Sequence, residues 1–436
     1  MSLTIQGSGF TTKSQEATVF YDHADIAWEN GVKNEHQSSF DDMELIKRPN
    51  EDPETIWGKP SLPPSDDKFN TGMRITKQRP GRTVFSQAHY YAKGNNNFLG
   101  WPTVIGGTDV NRESRKTYIS YWFKMPFDLA NYYAIPGDEN SDQFKSNGSE
   151  EYGESIEIEG VSGQGKLISY ESNLGDVPHG WIFFEPPENV TRNDEMKGKT
   201  ITGVNTGTQV RFPDSPSLGK FDDNGYLNPR GKYLRFWSDN DGYRYSLGNV
   251  GLAGTGESIW LNEFDSKLPD PGRWNKFEIE VSKPDYKNNK DPEMRIFLND
   301  EPYMIGDKEW QESVIDEGIS DPKAISIALL GINDFMPVPF TTEIDDIYMD
   351  LDFNRVLLCS ARTIQSVRDG KGNCEPQLIK SWSANQIEIQ TYLGVLQSEA
   401  GVVYAYVFDS EGNPNSDGYA IEISSLPSEP KNFEVQ

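Results

Sequence analysis

The sequence predicts an all-β protein built from sandwiches of short strands. Three features carry that expectation. Apolar residues alternate with polar ones, a period of two rather than the 3.6 of a helix. The alternating runs are rich in β-branched and aromatic residues, of which the 436-residue chain has 10 Trp, 20 Tyr and 22 Phe, side chains that suit a pleated, half-buried surface. Turn residues punctuate the runs, with 39 Gly and 27 Pro in the chain.

Taken in order, the chain opens with the strand-like run Leu3-Thr-Ile-Gln. Residues 50–80 are poor in aliphatics and rich in Asp, Glu, Asn, Pro and Ser, and are expected to form a long surface loop; so are residues 135–153. Strands are expected at 117–124 (TYISYWFK), 155–159 (SIEIE), 180–184 (GWIFF) and 232–237 (KYLRFW). Further strands follow at 276–281 (KFEIEV), 294–298 (MRIFL), 324–330 (AISIALL) and 347–351 (IYMDL). Asn240-Asp-Gly, Pro269-Asp-Pro-Gly and Asn299-Asp300 supply turns between them. Only 307–318 has helical character, with an Asp N-cap, an acidic first turn and a terminal Gly. The last 80 residues change to smaller, more regular strands at 377–390, 402–408 and 419–423, with a hairpin turn at 409–413, a pattern that fits a compact immunoglobulin-like sandwich.

The charge excludes several functions. The chain carries 41 basic and 68 acidic residues, a formal net charge of −27. General nucleic-acid binding needs clustered Lys and Arg to neutralise phosphates, and an anionic membrane surface needs the same. No apolar run approaches the ~20 residues of a membrane helix, so membrane insertion is not expected. Disorder is excluded by the large aromatic content.

Cys359 and Cys374 are the two cysteines, fifteen positions apart across a polar, turn-prone segment. They lack the Cys or His partners of a zinc site. Either they close this loop as a disulfide, worth roughly 3 kcal/mol on the chain-entropy model, or they are two thiols near in sequence. A bridge implies an oxidising compartment, hence a secreted or cell-surface protein. The chain runs from Met-Ser-Leu directly into its first strand-like run, with no leader pattern visible.

Ile379-Lys-Ser-Trp-Ser-Ala-Asn-Gln-Ile-Glu-Ile and Ala405-Tyr-Val-Phe-Asp-Ser-Glu-Gly-Asn resemble the IPT/TIG immunoglobulin-like domain. The Gly-x-Gly-Phe turn with which such domains begin is found at the start of the chain, in Leu3-Thr-Ile-Gln-Gly-Ser-Gly-Phe10. The resemblance implies a discontinuous domain formed by residues 1–18 and 353–436, with 19–352 inserted; otherwise Gly7-Ser-Gly9 is a leader and the two parts are simply joined. The inserted segment resembles a concanavalin A-like or laminin-G-like jelly roll, through Tyr118-Ile-Ser-Tyr-Trp-Phe-Lys, Tyr233-Leu-Arg-Phe-Trp, Arg273-Trp-Asn-Lys-Phe-Glu-Ile-Glu-Val and Glu343-Ile-Asp-Asp-Ile-Tyr-Met-Asp. The expected fold is thus an all-β jelly-roll sandwich inserted in, or joined to, a small Ig-like β-sandwich. That superfold includes lectins, carbohydrate-binding modules, polysaccharide lyases and glycoside hydrolases, so the fold alone leaves function open.

Alternation sorts the candidate site residues by face. If strands 117–124, 155–159 and 232–237 share the concave sheet, its open face carries Trp122, Lys124, Glu157, Glu159, Arg235 and Trp237. Flat rings for sugar faces and charged groups for hydroxyls make a saccharide-binding set; the competing reading is an outer face covered by loops.

Two enzymatic readings compete with simple binding. Glu154-Ser-Ile-Glu-Ile-Glu159 resembles the Glu-x-Asp-x-Glu strand of laminarinase-type hydrolases, with Ser155 at the first carboxylate position, where the nucleophile is lost. A lyase base could come from His89-Tyr90-Tyr91, with Arg82 or Arg235 as charge neutraliser.

Structural calcium is also expected from the jelly-roll resemblance. Asp22, Asp25 and Glu29 near one end and Glu343, Asp345 and Asp346 near the other would tie an N-terminal segment to a late strand, with Asp22, Glu29, Asp345 and Asp346 the favoured ligands. Ser238-Asp-Asn-Asp-Gly242 is a second, turn-like candidate, and Asn147-Gly-Ser and Asn189-Val-Thr fit the glycosylation sequon. The expected function is recognition of a polysaccharide or glycan. A polysaccharide lyase or hydrolase is the first alternative, and an adhesin or assembly module that binds protein the second.

Overall fold

The computed structural model describes residues 2–24, 44–45, 57–58, 72–76, 82, 88–93, 97–105, 112–124, 133–144, 153–171, 179, 181–190, 197–212, 232–237, 244–248, 251–253, 258–259, 272–283, 293–305, 323–333, 341–398 and 401–422. Among these the protein is nearly all β, with antiparallel ladders and one short α-helix, Ile364–Arg368, that the sequence pattern did not signal. The expected helix at 307–318 and the Ser238–Gly242 turn lie outside the described residues.

The largest sheet has nine strands. Its order is Glu301–Ile305, Glu293–Leu298, Trp274–Ser282, Lys116–Lys124, Thr341–Asp350, His89–Lys93, Arg74–Thr76 and Glu44–Leu45, with Phe20–Asp22 also paired to Thr341–Asp350. Register puts Ile119, Tyr121 and Phe123 level with Ile279, Phe277 and Asn275. The apolar members form one face, where Phe123 stacks on Phe277 at 5.0 Å and Tyr121 lies 5.8 Å from the same ring. A second sheet, of six strands, is ordered Ser258–Ile259, Gly251–Ala253, Arg244–Gly248, Lys232–Trp237, Ser326–Asn333 and Asn97–Phe98. Thr117 Oγ1 donates to the Ile325 carbonyl beside it at 2.7 Å, and Ile325, Ile327 and Leu330 are buried.

The opposite face of the nine-stranded sheet is charged and equally buried. Lys276, Glu278 and Glu280 lie level with Trp122, Ser120 and Tyr118, and Glu343, Asp345 and Asp350 with Lys124, Trp122 and Tyr118. The two ends of the chain cover them. Lys13 bridges Asp350 at 2.7 Å and Asp352 at 3.0 Å. Arg355 pairs with Glu280, Arg368 approaches Glu278 at 3.5 Å, and Lys276 meets Asp300 at 2.6 Å while donating to the Cys374 carbonyl at 2.5 Å. Arg82 joins Asp346 to Glu375. Charges this deeply buried persist because each has a partner; an unpaired one would cost several kcal/mol. Burial pushes the Asp350 carboxyl up to about 7, with Lys13 opposing and Asp352 adding to the rise.

The C-terminal segment folds into a four-stranded sheet, Cys374–Pro376, Arg355–Cys359, Val402–Phe408 and Tyr419–Glu422, and a three-stranded one in which Gln386–Gln390 lies between Leu378–Trp382 and Ser2–Gln6. Leu3 and Ile5 pack against Val356, Ile379, Trp382, Ile387 and Ile389. Phe10 meets Trp382 at 6.1 Å between ring centroids. Cys359 and Cys374 are register partners on adjacent strands and form the disulfide that the sequence left open, with Cα atoms 4.1 Å apart.

Two loop expectations are corrected. Within 135–153, part of the strand Tyr133–Pro136 and the 3-10 turn Ser141–Gln143 are present, because Ile135 and Phe144 enter a core. Within 50–80, Arg74–Thr76 is a strand and Trp57 is fully buried. Both segments are anchored by these residues, while Glu139, Asn140, Asp142 and Gln143 remain exposed as expected of a surface loop.

A candidate polar cleft on a separate six-stranded sheet

The described residues between 133 and 212 form a sheet of their own, ordered Gln209–Arg211, Thr200–Gly203, Ser155–Ile158, Gly165–Glu171, Trp181–Glu185 and Tyr133–Pro136. Alternation divides its strands cleanly. Ile156, Ile158, Leu167, Ile182, Phe184, Ile201 and Val210 point into one cluster with Ile135, Phe144, Val190 and Phe212. The intervening residues Glu157, Thr200, Thr202 and Gln209 stand on the other face.

Register aligns these polar residues into a row. Gln209 pairs with Thr202, and Thr202 with Glu157. Gln164, just before the next strand, donates from Nε2 to Glu157 Oε1 at 3.0 Å. A second row follows, in which Arg211 pairs with Thr200 and Glu159 Oε2 accepts from the Thr200 amide at 3.2 Å. One oxygen of each carboxylate is thus held by a protein donor, and among the described residues the other makes no hydrogen bond. Glu157, Glu159, Gln164, Thr200, Thr202 and Gln209, with Ile158, Gly160, Val161 and Gly163, line an open cleft of about 630 Å³. Glu154, only 2% exposed, holds the turn that follows Thr200–Gly203. It accepts from the Asn205 amide at 2.8 Å, the Thr206 amide at 3.0 Å and Thr206 Oγ1 at 2.7 Å.

The cleft suits a hydroxylated ligand. Carboxylates accept, amides both donate and accept, and hydroxyls do either, which matches the dual character of a sugar hydroxyl. Its lining holds no aromatic ring and no Lys or Arg, so it offers neither an apolar slot nor a phosphate cradle.

The six residues expected on one open face are not brought together. The three strands fall into three different sheets, so the shared concave face expected for them is corrected. Glu157 and Glu159 line the cleft. Trp122 is 6% exposed in the covered charged face, beneath the Arg82 guanidinium at 4.5 Å. Lys124 Nζ lies 3.8 Å from Glu343 at the margin of the same face. These two were misplaced because a charged strand face reads as solvent-facing until the segment that covers it is known. Arg235 and Trp237 belong to a strand of the second sheet, and their side chains lie outside the described residues. Sequence reasoning missed Gln164, Thr200, Thr202 and Gln209. Only cross-strand register unites them with Glu157, and alternation within one strand carries no signal of it.

The lyase candidates also face inward. His89 is fully buried, its Nε2 3.0 Å from Glu343 and its ring edge-on to Trp274. Tyr90 donates to Asp22, and Arg82 is held between Asp346 and Glu375.

The described acidic residues do not fit the expected Ca²⁺. Asp22 accepts from Trp57 Nε1 at 2.7 Å, from Tyr90 and from the Ala24 amide at 3.0 Å, and burial raises its pKa against these donors. At Asp346 a guanidinium stands where a cation would, with the Tyr21 and Tyr392 hydroxyls as further donors. Asp345 accepts from the Asp346 amide at 2.9 Å. Among the described residues no three His, Cys, Asp or Glu side chains gather as a metal site. Asp25 and Glu29 lie outside those residues, as does Asn147; Asn189 is exposed and donates to Ser162 Oγ at 2.9 Å.

No protein-family model and no curated protein matches the chain. Among solved structures it is similar to an alginate lyase double mutant in complex with alginate tetrasaccharide, at 10% identity over 63% of this chain and 85% of that one, TM-score 0.22. It is similar to the marine alginate lyase of Aplysia kurodai at 9% identity, over 76% and 98% of the two chains, TM-score 0.22. A galactose complex of the lectin UEA-II matches at 9% identity, over 80% and 97%, TM-score 0.17. Superpositions this loose transfer no residue roles.

Proposed function

We propose that this protein recognises a glycan, and that the cleft of the 133–212 sheet is where it does so. The observation that carries the reading is the polar row Gln209–Thr202–Glu157–Gln164, laid across four adjacent segments of one sheet beside a second acidic position, Glu159. Side chains fixed on hydrogen-bonded strands are preorganised, so a ligand loses little to ordering them. An open polar site without a stacking ring binds weakly, with Kd about 0.1–1 mM, or −5.5 to −4 kcal/mol. In this proposal recognition is not coupled to bond cleavage. Both ends of the chain would form one immunoglobulin-like unit that carries the rest, outside the cell, where a disulfide persists.

Isothermal titration of neutral, amino and acidic oligosaccharides tests the reading. At least one class is expected to bind in that range, and Glu157→Ala or Gln164→Ala to weaken it about tenfold, the cost of one charge-assisted hydrogen bond. Binding that ignores both substitutions, or no binding by any glycan, would overturn it.

A further inference from the structure

The cleft's chemistry constrains the charge of its ligand. Its lining offers two exposed carboxylates, two amides and two hydroxyls, and no cation. Arg211, the register partner of Thr200, and Lys199, whose Nζ comes within 3.9 Å of where a Cβ on Gly160 would be, stand just outside the lining. Glu157 and Glu159 are two positions apart, so both point to the same side and their Cα atoms are about 6.5–7 Å apart. Each keeps one oxygen without a hydrogen bond among the described residues. An acidic sugar chain would bring its carboxylates against these two and lose affinity, whereas a ligand amine would pair with them.

Resting on the reading of the cleft as a glycan site, we infer that it selects polysaccharides bearing free amino groups, accepts their uncharged counterparts less well, and rejects acidic ones. The net charge of −27 acts in the same direction at long range, although salt screens it beyond about 8–10 Å. Exposed ion pairs are individually weak: each changes affinity by a factor of about 1.5 to 5, so two give a preference of roughly 2- to 25-fold.

Three ligands on the intact chain separate the outcomes: an oligosaccharide of glucosamine, the same oligosaccharide with every amine acetylated, and an oligouronate of equal length. Titration in low salt is expected to rank them in that order, with the amine form weakening most at 0.5 M NaCl, where about two thirds of the exposed attraction is screened. Glu157→Gln/Glu159→Gln is expected to abolish the preference, so that the amine and acetylated forms bind equally, while circular dichroism and the melting temperature stay unchanged. If the amine preference survives in that double variant, the attraction belongs to the protein's overall charge and the inference fails. Equal binding of all three, or tighter binding of the oligouronate, also defeats it while leaving glycan recognition standing. If none of the three binds, and no glycan of the wider panel does, it is the glycan reading itself that fails.

Discussion

Arg355→Met probes the seam that holds the C-terminal segment to the nine-stranded sheet. The Arg355 guanidinium is fully buried. It pairs with Glu280, donates to the Phe353 carbonyl at 3.0 Å, and lies 4.2 Å above the Tyr118 ring and 3.8 Å from that of Phe408. Methionine keeps much of the volume but removes the charge, leaving Glu280, 1% exposed, with Arg295 at 2.7 Å as its remaining cation. Stranding a buried charge outright costs about 3–5 kcal/mol, and removing one of its two cations is expected to cost less, about 2–3 kcal/mol. At a urea slope of about 3 kcal/mol/M the midpoint falls by roughly 0.7–1 M. Urea unfolding followed by tryptophan fluorescence measures it, since Trp382 and Trp122 lie on the two sides of the seam. The companion Glu280→Met/Arg355→Met removes both charges and is expected to recover more than half of the loss, because an apolar pair of similar volume needs no counter-ion. A single-variant loss below 1 kcal/mol, or a double variant worse than the sum of the two singles, would refute the argument that pairing sustains these buried charges.

Two further expectations concern the same region. Replacing both Cys359 and Cys374 by Ala opens a fifteen-residue loop and should cost about 3 kcal/mol of unfolding free energy, read from the urea midpoint of oxidised wild type against the variant; equal midpoints would show that the bridge constrains nothing. Asp350, whose pKa rises from 3.8 to about 7 on folding, binds its proton more tightly in the folded state. Stability from this group is therefore fully present below about pH 4 and is lost as pH rises towards 7, by up to about 4 kcal/mol. Asp350→Asn should flatten that slope, and parallel slopes for variant and wild type between pH 4 and 7 would contradict it.

Sequence made the strands legible and their environments much less so. Alternation places strands at 117–124, 276–281 and 347–351, which overlap Lys116–Lys124, Trp274–Ser282 and Thr341–Asp350, but it puts Trp122 and Lys124 on an open face and gives no sign that the charged side chains of these strands are buried. Those charges are compensated by Lys13, Arg82, Arg355 and Arg368, which lie between 75 and 337 positions from their partners in the sequence. Local pattern is blind to a partner that distant. The same limit hid the sheet at 133–212. Tyr133–Pro136 is a short strand whose pattern is weak on its own, and only the cluster around Ile135 and Phe144 reveals its place. Glu157 and Glu159 were found because i, i+2 spacing is a property of a single strand. Their neighbours in the cleft required the register of three strands at once.

The most direct test of the account is carboxyl footprinting of the intact protein with and without a saturating oligosaccharide ligand. Carbodiimide-driven labelling read by mass spectrometry reports each exposed Glu and Asp separately. Glu157 and Glu159 are expected to lose at least half of their labelling when ligand binds, while exposed acids remote from the cleft, such as Asp369 and Glu422, keep theirs. Unchanged labelling of Glu157 and Glu159 under a ligand that demonstrably binds would place recognition elsewhere on the protein and contradict the central claim.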